Sequence, residues 1–154
     1  MRLTVIAVGR LKERYWREAA DEYLKRLSPY ATVRVVEVDD RDSGRDEARA
    51  LAEEGASVLR AVPDKAHVVA LDIGGKQLSS EAFARRLAAL GLDGRSNVTF
   101  VIGGSVGLSA AVLARADDKL SLGAMTLPHN MARVVLLEQV YRAFRINRGE
   151  PYHK

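Results

Sequence analysis

Asn97-Val98-Thr99-Phe100-Val101-Ile102-Gly103-Gly104-Ser105-Val106-Gly107-Leu108-Ser109 is the stretch on which the fold turns. Residues 97 to 102 are apolar and β-branched in the manner of a buried strand. The run 103 to 108 is a glycine-rich loop, and Ser109 is of the type that caps a helix, here a short one over 110 to 116. A strand that leaves through glycine into a helix is the repeating unit of a parallel sheet, because parallel neighbours need crossovers.

The same unit repeats on both sides. Leu3 to Val8 reads as a strand closed by Gly9, and Lys12 to Leu27 as a helix with Tyr15, Trp16, Ala19, Ala20, Tyr23, Leu24 and Leu27 on one face. Thr32 to Val38 is a second strand. The run 39 to 45 is too charged to pack and reads as a surface loop, after which helical spacing resumes at Ala48, Leu51, Ala52, Gly55, Leu59 and Val62. His67 to Ile73 is a strand with Gly74-Gly75 as its turn, and Ser79 or Ser80 caps a helix that turns Phe83, Leu87 and Leu90 inward. Lys119 to Leu122 is a brief fifth strand, and His129 to Arg145 the last helix. The expected fold is α/β: a single domain over 1–154 with a mostly parallel five-stranded sheet and helices on both faces. Such sheets bind ligands at the carboxyl ends of their strands, and here three successive exits carry glycine: Asp72-Ile73-Gly74-Gly75, Gly103-Gly104 and Gly123-Ala124.

Composition narrows the chemistry. With no cysteine there is no disulfide framework, no thiolate metal site and no cysteine nucleophile. No run approaches the roughly 18 apolar residues of a membrane span, and the start lacks the order of a signal peptide, so a soluble, cytoplasmic protein with no membrane partner is expected. Only Gly9 stands where a dinucleotide fingerprint needs three glycines, and Gly75-Lys76-Gln77 does not meet the phosphate-loop spacing. The acidic loop at Asp39 to Asp46 lacks the calcium-loop order, and His67, His129 and His153 are too scattered for a metal triad, so no metal is expected.

The net charge of +4 at pH 7 is unevenly spread. Residues 129 to 154 hold five cations (Arg133, Arg142, Arg145, Arg148, Lys154) against two acids (Glu138, Glu150). A basic end favours an anionic partner, nucleic acid first among them. On the last helix Leu136, Leu137, Val140, Tyr141 and Phe144 share one arc, and Arg133 falls inside it, so its guanidinium needs either a carboxylate or water in reach, or a place at a site or subunit interface. Glu138 and Arg142 have the spacing of a helix-stabilising pair. Arg142, Arg145 and Arg148 recur every third residue; a solvated face at a helix C-terminus produces such a stripe, and so does an anion-binding one. The ending Pro151-Tyr152-His153-Lys154 interleaves an aromatic ring and an imidazole with positive charge, which is what an extruded RNA base requires.

Three runs, residues 100 to 109, 120 to 129 and 133 to 143, together with Pro151-Tyr152-His153, resemble the SPOUT superfamily of trefoil-knotted RNA methyltransferases. Within it the chain is similar to the small single-domain family that methylates N3 of a pseudouridine in bacterial 23S ribosomal RNA, acting within the assembled 70S ribosome. The resemblance extends over the whole length and includes Leu71-Asp72 and Ser79-Ser80-Glu81. It implies a C-terminal trefoil knot, S-adenosylmethionine as cofactor, a homodimer whose sites borrow residues from the partner, and no metal. The implied cofactor contacts are Leu71, Asp72, Gly103, Gly104, Leu122, Gly123, Ala124, Met125, Thr126, Leu127 and Pro128.

Methylation of an imide nitrogen needs alignment and loss of a proton. The expected catalytic residues are therefore Arg142 and Tyr152, to hold and orient the flipped base, and His153 or His129 as base. An arginine favouring the anionic imide is the alternative. The expected RNA contacts are Arg133, Arg142, Arg145, Arg148, Tyr152, His153 and Lys154. Two other readings stay open at this stage: a non-catalytic ribosome-associated factor of the same fold, and an enzyme acting on transfer RNA.

Overall fold

The computed structural model describes residues 1–42 and 44–154; Ser43, within the charged loop expected over 39 to 45, lies outside the described residues. The chain runs β1 (Arg2–Val8), α1 (Arg14–Leu27), β2 (Thr32–Val38), α2 (Glu47–Ala61), β3 (His67–Gln77), α3 (Ser80–Leu92), β4 (Asn97–Ile102), α4 (Ala110–Arg115), β5 (Asp118–Ser121) and α5 (His129–Asn147). The sheet order is β2-β1-β4-β3-β5 and every pairing is parallel.

Side-chain alternation divides β1 between two cores. Leu3, Val5 and Ala7 face the layer of α1, α3 and α5, while Ile6 and Val8 face α2 and α4. Phe100 on β4 and Leu136, Leu137 and Val140 on α5 are fully or almost fully buried in the first of these, so the last helix is a core element. Ser79 and Ser109 cap α3 and α4, their hydroxyls accepting from the amides of Ala82 and Val112.

Two features differ from the sequence reading. On α2 the buried residues are Ala50, Glu54, Gly55 and Val58, whereas Ala48 and Ala52 are exposed. The inward arc is centred on Ala50, Glu54 and Val58, one turn apart, with a carboxylate at its middle.

The second concerns β3, which does not end at a Gly74-Gly75 turn. Leu120 of β5 is paired with Leu71 and again with Lys76, both in the parallel sense. The register therefore shifts between Leu71 and Lys76, with residues 72 to 75 left out of the ladder. Within that stretch Gly75 presses on the backbone of β5: a Cβ there would sit 2.7 Å from the carbonyl carbon of Lys119 and 2.8 Å from the amide nitrogen of Leu120. Only glycine permits that approach.

Candidate active site

A cleft of about 610 Å³ opens where the middle of β3 meets the exits of β4 and β5. Leu71 and Asp72 of β3 line it together with Gly103 and Gly104. Leu122, Gly123, Met125, Thr126, Leu127 and Pro128 close the other side, and Ala124 is exposed within that same loop. His129, the first residue of α5, stands at the cleft and also borders a smaller recess formed by Gly9, Arg10 and Lys12. The lining also includes Ile102, Ser105, Gly107, Leu108, Leu120, Ser121 and Ala132, which were not among the expected contacts, and Ile73 from the exit read in the sequence. Ile73 and Met125 leave apolar side chains 59% and 86% exposed at the cleft, an uncommon arrangement unless something covers them.

A Cβ on Gly103 would lie 2.5 Å from the carbonyl oxygen of Gly107, so the loop closes on itself only with glycine there. Gly123 has φ +147, and a Cβ at that position would meet nothing within 4 Å. At these glycines no side chain stands between the backbone and the cleft, whose volume suits a small organic molecule.

The tail residues form a second cluster. From His129 to Arg142, α5 advances about 20 Å along its axis, so the two groups stand at opposite parts of the helix. Arg142 donates to Glu138 Oε1 from Nε at 3.0 Å and Nη2 at 2.5 Å, lies 4.7 Å over the Tyr152 ring, and donates from Nη1 to His153 Nδ1 at 3.1 Å. A guanidinium can only donate, so Nδ1 accepts and the His153 proton sits on Nε2, 2.7 Å from Glu81 Oε1. The Tyr152 hydroxyl donates to Glu138 at 3.0 Å; burial, followed by that bond, pushes its pKa up to about 12. Glu81, which the resemblance had included without a role, is held below the usual carboxylate range chiefly by the His153 bond. Ser80, Gln139 and Glu138 form a hydrogen-bonded row to this cluster from a further recess, which Ser80 and Gln139 line together with Ser121 and Leu122.

The remaining cations lie elsewhere. Arg133 is 4% exposed and donates to Glu37 Oε2 at 2.7 Å and to the carbonyl of Gly9 at 3.1 Å, tying α5 to β2 and to the exit of β1. Arg145 holds Tyr30, Glu150 and the carbonyl of Pro151; Arg148 lies 4.5 Å over the Tyr30 ring; Lys154 is exposed at the end. The expected stripe is thus largely turned to the chain's own aromatic and acidic groups. Among the described residues no group of three or more potential ligands is placed to hold a metal, and no helix is long and apolar enough to cross a membrane.

The family model described as "Predicted SPOUT methyltransferase" matches residues 1–153: the chain belongs to that family and is a methyltransferase. It is 54% identical to the "Ribosomal RNA large subunit methyltransferase H" of Carboxydothermus hydrogenoformans and 54% identical to the one of Listeria monocytogenes serotype 4b, in each case over 100% of both chains. The protein of that name from Bacillus cytotoxicus is 52% identical over the same span. Among solved structures, a probable methylase family protein from Haemophilus influenzae superposes with a TM-score of 0.56 at 12% identity, covering 96% of this chain and 66% of that one, which is a likeness of fold.

Proposed function

We propose that the protein transfers a methyl group from S-adenosylmethionine to N3 of a pseudouridine in 23S ribosomal RNA, as a homodimer acting in the cytoplasm on the 70S ribosome. The observation that carries this reading is the glycine-containing cleft between β3 and the exits of β4 and β5, in a chain 54% identical along its whole length to ribosomal RNA methyltransferases. The double pairing of Leu120 and the contact of Gly75 with β5 support one knotted domain spanning 1–154.

The cleft fits the cofactor in kind. Peptide groups at Gly103, Gly104 and Leu122 to Pro128 would hold its polar edges, Asp72 would face its positive charge or its hydroxyls, and Ile73 and Met125 would cover its apolar parts. Bound there, S-adenosylmethionine supplies an electrophilic methyl group on a sulfonium. The protein's tasks are then to place the imide nitrogen and to let its proton leave. His129 already stands at the cleft, and we assign it first place as acceptor of that proton. His153 has its lone pair engaged by Arg142, so Arg142, Tyr152 and His153 are assigned to grip the base and favour its anionic form. Arg142 lies about 20 Å along α5 from His129, the residue assigned to the proton, which favours delivery of one subunit's tail to the other's cleft. Lys154 and the exposed parts of Arg145 and Arg148 add charge for the RNA backbone, and Arg133 acts from inside by fixing the exit of β1.

The test is to incubate the protein and methyl-labelled cofactor with ribosomes from a strain lacking this gene and map the product by mass spectrometry. One added methyl on a single pseudouridine of 23S ribosomal RNA is expected. Label in transfer RNA, or efficient modification of a free short oligonucleotide, overturns the substrate assignment.

A further inference from the structure

Glu54 is 4% exposed, yet only half of its carboxylate is satisfied. Oε2 accepts from the amide of Arg41 at 2.7 Å, whereas Oε1 is fully enclosed and has no partner among the described residues. A buried carboxylate oxygen without a donor is costly, and such groups are rare enough in native proteins to need a reason.

Its location supplies one. The nearest part of the glycine loop is Gly104, whose Cβ would stand 3.9 Å from Oε1 and 3.1 Å from Val8. The next residue, Gly55, is pressed so closely on Ser109 that a Cβ would overlap that hydroxyl. The Glu54-Gly55 pair of α2 therefore packs directly behind residues 103 to 109, whose other side lines the cleft. The carboxylate also reaches the segment after β2 through Arg41.

We propose that Glu54 is a positioning residue for the cofactor: its free Oε1 accepts a backbone N–H of the Gly104-Ser105 segment when the cleft is filled, fixing the glycine loop in its binding form. A glycine-rich loop can make that adjustment with little strain. Ligand binding and the Glu54 bond then favour the same loop conformation, so each strengthens the other. The inference rests on the cofactor reading above.

Glu54→Gln tests it by calorimetry with S-adenosylmethionine and by melting without it. The amide oxygen still serves Arg41, but an NH₂ now faces the loop's N–H. The expected result is roughly ten-fold weaker binding, the size of one charge-assisted hydrogen bond, with a ligand-free melting temperature equal to or above wild type, because an unpartnered charge is gone. A purely structural role reverses this pattern: melting falls and affinity stays, and affinity within two-fold of wild type overturns the proposal. Should the variant not fold, hydrogen exchange on the wild type decides: slowed exchange at Gly104 and Ser105 on cofactor binding supports it, and unchanged exchange overturns it. No heat with the wild-type protein would instead remove the cofactor reading itself.

Discussion

Arg133 and Glu37 form an ion pair of 2.7 Å in which the guanidinium side chain is 5% exposed and the carboxylate 35%. This asymmetry sets the cost of breaking it from either side. Glu37→Ala strands a buried cation, and about 3–5 kcal/mol of stability should be lost. Arg133→Met leaves a carboxylate that water can reach and a side chain that still packs, so a loss of about 1–2 kcal/mol is expected. Urea denaturation of both variants checks the order, and the double variant should be less destabilised than the two losses added together.

Two glycine-to-alanine changes should act in opposite directions. Gly75→Ala drives a Cβ into the backbone of Lys119 and Leu120, which cannot give way without disturbing the pairing of β3 with β5; a loss of at least about 3 kcal/mol, or failure to fold, is expected. Gly91 lies within α3, where a Cβ meets only the end of Met1 at 3.7 Å, so Gly91→Ala should stabilise by about 0.5–1 kcal/mol through helix propensity. Paired thermal melts give the signs directly.

That contrast also marks what the sequence could convey. Local signals placed β2 and β4 at their observed bounds, and Gly103, Gly104 and Gly123 pointed to the cleft whereas Gly74 and Gly75 do not line it, because alternation, capping and glycine content act within a few residues. The continuation of β3 to Gln77 was hidden, since Ile73-Gly74-Gly75 has turn composition and its second pairing depends on β5, more than forty positions later in the chain. Glu54 escaped notice because the face of α2 was traced through apolar residues alone. His153 meets Glu81 across 72 positions, a relation that no spacing expresses.

At the opposite end of β3, Asp118 accepts from Arg86 at 2.6 Å and from His67 at 2.8 Å, and Asp117 accepts from the amide of Val68. Burial alone would raise both carboxyl pKa values, but these bonds outweigh it and hold both below the usual value of 3.8. A depressed folded pKa gives stability that is complete above the unfolded value and is lost as pH falls through the folded one. Stability should therefore decline below about pH 4, and Asp118→Asn should flatten the decline while lowering stability at neutral pH. Denaturation midpoints across that range check both.

Tyr152 carries the reverse sign at the alkaline end. Its folded pKa of about 12 exceeds the ordinary 10.0, so its contribution is present below pH 10 and is lost as pH rises through 12. The difference in phenolate absorbance between wild type and Tyr152→Phe should titrate late, near 12. The phenylalanine keeps the ring beneath Arg142 and against Tyr141 but gives up the bond to Glu138, so a neutral-pH loss of about 1 kcal/mol is expected.

The spacing of His129 and Arg142 along α5, about 20 Å, leads to a complementation test. If one subunit's Arg142 serves the other's cleft, a cleft variant and a tail variant damage different chains of a mixed dimer. Gly103→Ala should abolish cofactor binding, because its Cβ would collide with the Gly107 carbonyl, and Arg142→Ala should bind cofactor yet transfer methyl at least about 100-fold more slowly. In a mixed dimer of the two, the Arg142→Ala chain keeps an intact cleft and receives an intact tail from its Gly103→Ala partner, so one working site per dimer reappears. Equal mixtures refolded together should recover a substantial fraction of wild-type single-turnover methylation, although each variant alone is nearly inactive. No recovery in mixed dimers verified by mass would place the tail and the cleft of one active site on the same chain.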